Sequence, residues 1–240
     1  MPLKLSLLMN VLYVATAGYW VYRRGGIKNV NLRAIKGNEP PNHIVVRREL
    51  YHAFTRTPHT DKPIVMFGDS LTAAGLWGEW YGSSVVNRGI GQETTAEALL
   101  RVPAIAAMRP SKVFILYGNN DFGVVSPAES AANLRNFIFG LRSLSPATEI
   151  YLQSLLPPPS FTREAWVSQV NELFKQTADE HHLHWIDLCP NFRNGRVIDP
   201  KFTVDGIHLT PEGYKVWRRA LQPYVFEHTT PLLRPNQALW

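Results

Sequence analysis

Cysteine is almost missing from this chain: Cys189 is the only one in 240 residues. No internal disulfide can form, and no cysteine cluster exists to build a zinc site. Cys189 itself, just before Pro190, reads as a small packed residue. His181, His182 and His184 do not combine with an acid or cysteine at the spacing a zinc site requires. His43, His52 and His59 also lack partner spacing and read as surface residues. The glycine spacing of a dinucleotide site is missing too, as is the acid at the end of the following strand. The net charge is +6, yet no basic run is interleaved with aromatics, so a nucleic-acid groove is excluded. What remains is ordinary globular material. Apolar residues make up 45% of the chain, enough for a core without staples. The length suits one large or two small domains, and one continuous α/β pattern favours a single domain with an N-terminal extension.

That extension carries the longest apolar run. Leu5 to Tyr22 is interrupted only by Ser6, Asn10 and Thr16 among its polar positions, preceded by Lys4 and followed by Arg23, Arg24 and Lys28. Its length approaches that of a spanning helix, and Tyr19, Trp20 and Tyr22 sit where an interfacial belt would lie. The first reading is a single membrane anchor spanning residues 1–24. The rival is a secretory signal cleaved near Ala15-Thr16-Ala17, with export of the rest. A helix packed on the domain is the third. The larger basic cluster follows the segment, which by the positive-inside rule leaves the domain on the cytoplasmic side. Residues 25–59 read as a linker, with Gly25-Gly26 and Pro40-Pro41, and a short helix over Ile44 to Phe54. The domain proper spans residues 60–228, and 229–240 form a tail.

Within the domain, the continuous apolar run Lys62 to Phe67 reads as a fully buried parallel strand, and Ser84 to Asn87, Lys112 to Tyr117, Thr148 to Ser154 and Leu183 to Asp187 read as four further strands. Polar motifs follow several of them. The first ends in Gly68-Asp69-Ser70 before a helical pattern. Ser70 is either a nucleophile at the carboxyl edge of the sheet or a helix cap. The second leads into Asn87-Arg88-Gly89-Ile90-Gly91-Gln92, whose backbone N–H groups could bind an oxyanion, or which is simply a tight turn. Thr94 with Glu97 is a capping-box pattern, and Ala98, Leu99, Val102, Ile105 and Ala106 continue it as one apolar helical face. The third strand ends in Gly118-Asn119-Asn120-Asp121, an amide donor or an Asx turn. Ser126-Pro127-Ala128-Glu129 opens another helix. Phe161 and Trp166, after Pro157-Pro158-Pro159, either wall a pocket or belong to the core. Finally, Asp205 and His208 stand three apart before Thr210-Pro211, the cap and first position of the last helix. There the carboxylate can orient the imidazole, or the two form an exposed loop pair. Asp199 is a more distant candidate for the orienting acid.

Taken in order, Gly68-Asp69-Ser70, Asn87-x-Gly89-x-Gly91, Gly118-x-Asn120-Asp121 and Asp205-x-x-His208 resemble the motifs of the SGNH hydrolases, also called the GDSL lipase/esterase family. The spacing around Asn87 and the Thr94-Thr95 pair is most like the branch of platelet-activating-factor acetylhydrolase catalytic subunits and bacterial carbohydrate acetylesterases. The resemblance covers residues 60 to 228. It implies a three-layer α/β/α sandwich on a five-stranded parallel, flavodoxin-like sheet. It also implies a carboxylic ester hydrolase with Ser70 as nucleophile, His208 as base and Asp205 as its orienting acid. The oxyanion hole would come from the N–H groups of Ser70 and Gln92 and the Asn120 amide. Asp69 stays outside this set as a turn residue. The family usually has glycine at the position of Gln92. The implied substrate is an acyl ester of a carbohydrate or lipid, with acetyl the favoured acyl group. No metal or organic cofactor is implied. The alternatives are a lysophospholipase or thioesterase acting on longer chains, and a binding module that keeps the fold without turnover.

Overall fold

The computed structural model describes residues 62–226 together with Val46, Arg47, Glu49 and Leu50, which are helical and exposed. The Leu5–Tyr22 segment, the rest of the 25–59 linker and the C-terminal tail from 229 lie outside the described residues. No helix among the described residues is long and apolar enough to cross a membrane.

Five parallel strands form the central sheet: β1 (Ile64–Gly68), β2 (Val85–Asn87), β3 (Lys112–Leu116), β4 (Glu149–Gln153) and β5 (His184–Ile186). Their order is β2-β1-β3-β4-β5, the flavodoxin-like arrangement. All five expected strands exist, each trimmed by a residue or two at one or both ends except for the extension of β1 to Gly68. The apolar runs are continuous because both faces are covered. Along β1, Val65 and Phe67 face one core and Met66 the other. Along β3, Val113 and Ile115 oppose Phe114 and Leu116 in the same way. This is the period-two consequence of the pleat.

Helices supply the two outer layers. On one face lie α3 (Thr95–Leu99), α4 (Val102–Ala107), α5 (Pro127–Leu144) and α6 (Phe161–Glu180). Leu134, Phe137, Ile138 and Leu141 of α5 and Val170 and Phe174 of α6 fill that core. The other face is covered by α1 (Ser70–Ala73), α2 (Trp77–Tyr81) and α8 (Pro211–Phe226), through Leu71, Trp77, Trp217 and Leu221. Trp217 buries its indole N–H on Gln153 Oε1 of β4 at 2.7 Å, so a large aromatic enters the core without an orphaned donor.

One local expectation changes, and two features appear beyond the expected ones. The single helix from Thr94 onward is two, α3 and α4, with Pro103 in the first turn of the second. Arg101 at the junction is drawn into the core, which a continuous helix with that apolar face did not anticipate. The capping box itself forms, with the Thr94 and Glu97 side chains each meeting the other's backbone. After the short α7 (Cys189–Phe192), a small hairpin pairs β6 (Arg193–Asn194) with β7 (Val197–Ile198). The Asn194-Gly195 dipeptide is its sequence signal, with Gly195 at φ +63°. Cys189 is half-buried and its thiol donates to the Leu155 carbonyl at 3.1 Å.

Candidate active site

The β1 and β3 connections leave the sheet in opposite directions, which opens a crevice at their carboxyl ends. Ser70 stands there, immediately after β1. Its neighbour, not Ser70 itself, caps the helix: Asp69 Oδ1 accepts from the Leu71 N–H at 3.0 Å. The hydroxyl of Ser70 is therefore not consumed as a cap. It meets His208 Nε2 at 3.1 Å.

The turn is so tight because two chain segments press on it. A Cβ on Gly68 would stand 2.6 Å from the Leu116 carbonyl oxygen and 2.0 Å from Thr72 Oγ1. One on Gly89 would lie 2.2 Å from the Ala73 nitrogen. Only glycine admits these approaches. Asn87 then ties the short helix down: its amide nitrogen lies 3.0 Å from each of the carbonyls of Thr72, Ala73 and Gly75, and its Oδ1 accepts from the Gly89 N–H at 2.9 Å. These carbonyls lie at or just past the helix end, where intrahelical donors run out, and the Thr72 carbonyl also accepts from the Trp77 indole N–H at 2.8 Å.

His208 sits on a loop braced against itself. Thr203 Oγ1 donates to the His208 carbonyl at 2.9 Å and accepts from the Gly206 N–H at 2.8 Å. Asp205 Oδ1 accepts from the N–H groups of Ile207 and His208, while Oδ2 lies 2.7 Å from His208 Nδ1. The bonds from the His208 ring and then from these backbone groups hold the Asp205 carboxyl down to about 2, so it stays ionised. A carboxylate on Nδ1 leaves Nε2 to take a proton from a hydroxyl. Thr210 Oγ1 accepts from the Gly213 N–H at 3.2 Å, in the expected capping role for α8. From α8, Tyr214 donates to the Leu71 carbonyl at 2.7 Å, linking this helix to the one that starts at Ser70. Asp199 is not part of the cluster. It caps the 3₁₀ turn Pro200–Phe202 through the Lys201 N–H and pairs with the Lys201 ammonium at 3.1 Å.

Asn120 lies in the 3₁₀ turn Asn119–Asp121 that follows β3. Its amide donates to the Glu93 carbonyl at 3.0 Å, and Asp121 is locked below it by the Thr95 N–H at 3.0 Å and the Thr95 hydroxyl. The loop carrying Gln92 passes beside the serine: a Cβ on Gly91 would be 3.8 Å from Ser70 Cβ. Gln92 itself has φ +62°, the left-handed region. That conformation explains why glycine is the usual residue at this position, and Gln92 holds it at a steric cost. Its side chain is exposed.

Several contributors escaped the sequence reading. Glu93 and Arg101 form a buried ion pair of 2.6 Å, and the Tyr117 hydroxyl donates to the same carboxylate. Arg101 was legible only as a charged residue inside an apolar stripe. Asp69 is fully buried, and desolvation lifts its carboxyl to about 7 against the opposing pull of the Leu71 N–H, the Asn119 amide and His208. Phe161 is 70% exposed rather than walled in, whereas Trp166 packs edge-on against Phe122 at 5.7 Å. Among the described residues, no group of three or more His, Cys, Asp or Glu is arranged to hold a metal ion.

Comparison with known proteins agrees with this architecture. A GDSL esterase/lipase of Arabidopsis thaliana is 27% identical over 194 residues, 62% of this chain and 79% of its own length. Among solved structures, one from Streptococcus pneumonia described as a platelet activating factor superposes with a TM-score of 0.66 at 24% identity, covering 77% of this chain and 95% of that one. A mutant of an acetyl-xylooligosaccharide esterase from Geobacillus gives 0.59 at 20% identity, covering 71% and 97%. These two likenesses establish the fold. The model of the GDSL-like lipase/acylhydrolase family matches residues 66–216, more than half the chain. With that match lying over the crevice and its motifs, the chain belongs to the GDSL-like lipase/acylhydrolase family and is a carboxylic ester hydrolase.

Proposed function

We propose that the enzyme cleaves small-acyl esters, acetyl foremost, by two-step acyl transfer through Ser70. The carrying observation is the continuous chain from Ser70 Oγ to His208 Nε2 at 3.1 Å and from His208 Nδ1 to Asp205 Oδ2 at 2.7 Å. His208 takes the serine proton as Oγ attacks the ester carbonyl, then returns it to the departing alcohol. Water resolves the acyl-enzyme with His208 again as base. The N–H groups of Ser70 and Gln92 and the Asn120 amide take the oxyanion; one such donor is worth about 2.7–4 kcal/mol at the transition state. Gln92, in place of glycine beside Ser70, adds bulk that favours a small acyl group.

A second reading has its own observation. Val204, next to Asp205, and Phe161, at the start of α6, are each about 70% exposed. Exposed apolar side chains of this kind suit a longer acyl chain. A chain-length series of p-nitrophenyl esters decides between the two. Peak kcat/KM at two to four carbons is expected, and a peak at eight or more would replace the acetyl preference. Loss of turnover in Ser70→Ala, together with labelling of Ser70 by a serine-reactive phosphonate, is the expected signature of the nucleophile. Undiminished hydrolysis by Ser70→Ala would overturn that assignment, and failure to label would favour a binding module. The apolar Leu5–Tyr22 run supports attachment of the full chain to a membrane, with export after cleavage as the alternative. Retention in the membrane pellet that is lost on deleting residues 1–24 is the outcome this proposal expects.

A further inference from the structure

We infer that Glu93 and Arg101 are positioning residues that set the backbone and amide halves of the oxyanion hole together. The inference rests on the ester-hydrolase reading above. It starts from where their contacts go. Glu93 directly follows Gln92, and its own carbonyl holds the Asn120 amide at 3.0 Å. One residue thus touches both proposed donors, the first by the peptide bond and the second by a hydrogen bond.

The Glu93 side chain runs the opposite way, into the core, where its side-chain exposure is 0% and that of Arg101 is 2%. Arg101 Nη1 lies 2.6 Å from Glu93 Oε2 and 3.2 Å from the Tyr117 hydroxyl. Its Nη2 donates to the Arg88 carbonyl at 2.8 Å, and the guanidinium lies over the Phe67 ring at 4.8 Å. Arg101 therefore grips the loop at both ends, Arg88 and Glu93. The entry of the loop is also pinned to β1, by Arg88 N–H on the Met66 carbonyl at 2.8 Å and Ile90 N–H on the Gly68 carbonyl at 2.9 Å. Gln92 sits inside this clamp in a left-handed conformation that an L side chain adopts only when its surroundings impose it. A guanidinium with several fixed donors suits the task, since its fork is rigid and its charge permanent.

A core role alone would require no contact with the loop backbone. A positioning role makes a distinct kinetic demand: the donors act on the oxyanion, so misplacing them weakens the transition state more than the bound substrate. The test compares p-nitrophenyl acetate with its thionoester, whose sulfur accepts hydrogen bonds poorly, in the full chain, Glu93→Gln and Tyr117→Phe. Far- and near-UV circular dichroism identify folded variants. Tyr117→Phe keeps the Glu93–Arg101 pair and carries the test if Glu93→Gln fails to fold. Expected for Glu93→Gln is a fall in kcat on the oxoester of about 100-fold, the scale of an ångström of misplacement, with KM within about threefold. Tyr117→Phe should lose about tenfold on the same grounds. In both, the thionoester rate should fall less, so that the oxoester-to-thionoester ratio drops. Folded variants with an unchanged ratio overturn the inference, whether activity is retained or lost equally on both substrates. Wild-type protein that turns over neither ester overturns the reading beneath it, and the inference with it.

Discussion

Two short acid–base pairs belong to loops that reach the same serine, one through His208 and the other through Gly91, and live in opposite environments. Asp205 and His208 meet at 2.7 Å with side chains 51% and 46% exposed. Glu93 and Arg101 meet at 2.6 Å in the core. Near-equal distances thus conceal different energetics. The exposed pair is screened by water and contributes at most about 1 kcal/mol to stability. Water access also lets its imidazole exchange protons, as a base in each half of an acyl transfer must. The buried pair is sealed from water. Removing one partner strands the other charge, which typically costs about 3–5 kcal/mol. Chemistry is assigned to the first pair and geometry to the second.

That contrast is broken most directly by substituting one acid or base on each side. Asp205→Asn should reduce kcat by about four orders of magnitude, through the wrong imidazole tautomer, and leave the urea midpoint nearly unchanged. Arg101→Leu should do the reverse in emphasis, losing about 3–5 kcal/mol in urea unfolding. Equal stability losses in the two variants would erase the distinction.

Asp69 sharpens the comparison, because it is a buried acid with no cationic partner of the Arg101 kind among its close contacts. Its carboxyl is raised to about 7 in the folded state from an ordinary value near 3.8. A raised folded value means that its contribution is fully present below about pH 4 and is lost as pH rises through 7. Asp69→Asn keeps an oxygen for the Leu71 N–H but does not titrate. Between pH 5 and pH 8.5 the wild type should therefore lose a few kcal/mol more than this variant, at about 1.4 kcal/mol per pH unit. Parallel pH profiles from urea unfolding would refute the burial argument.

The smallest effect belongs to Gln92. Gln92→Gly relieves a left-handed side chain, a gain of about 1 kcal/mol that the extra freedom of glycine in the unfolded chain partly offsets. The melting temperature should rise slightly. If Gln92 crowds the acyl site, the preference in the ester series should also shift toward longer acyl groups. A fall in stability would show that the glutamine makes contacts worth more than its strain.

The sheet was readable because burial on both faces writes strands as unbroken apolar runs: β1 and the Val113–Leu116 stretch of β3 are such runs, while β4 has only Ile150–Leu152 between Glu149 and Gln153. The caps at Thr94, Ser126 and Thr210 were readable because capping is a local hydrogen-bond problem with few residue solutions. The Ser70 turn was half readable. Its glycine and acid were visible, but which of Asp69 and Ser70 would cap the helix depended on the direction each side chain takes.

By itself, then, the order of residues determined the strands, most of the helices and the short motifs that bring Ser70 and Asn120 to strand ends and Asp205 and His208 to the loop before the last helix. It did so because period, capping and turn preference act over a few neighbouring positions. Only the tertiary structure decided that Arg101 would leave an apolar stripe to reach Glu93, that Asp69 would be sealed from water, and that Asp199 would turn to Lys201 instead of His208. Each depends on partners brought together by packing, where charge, burial and reach are settled jointly and no local pattern records the outcome.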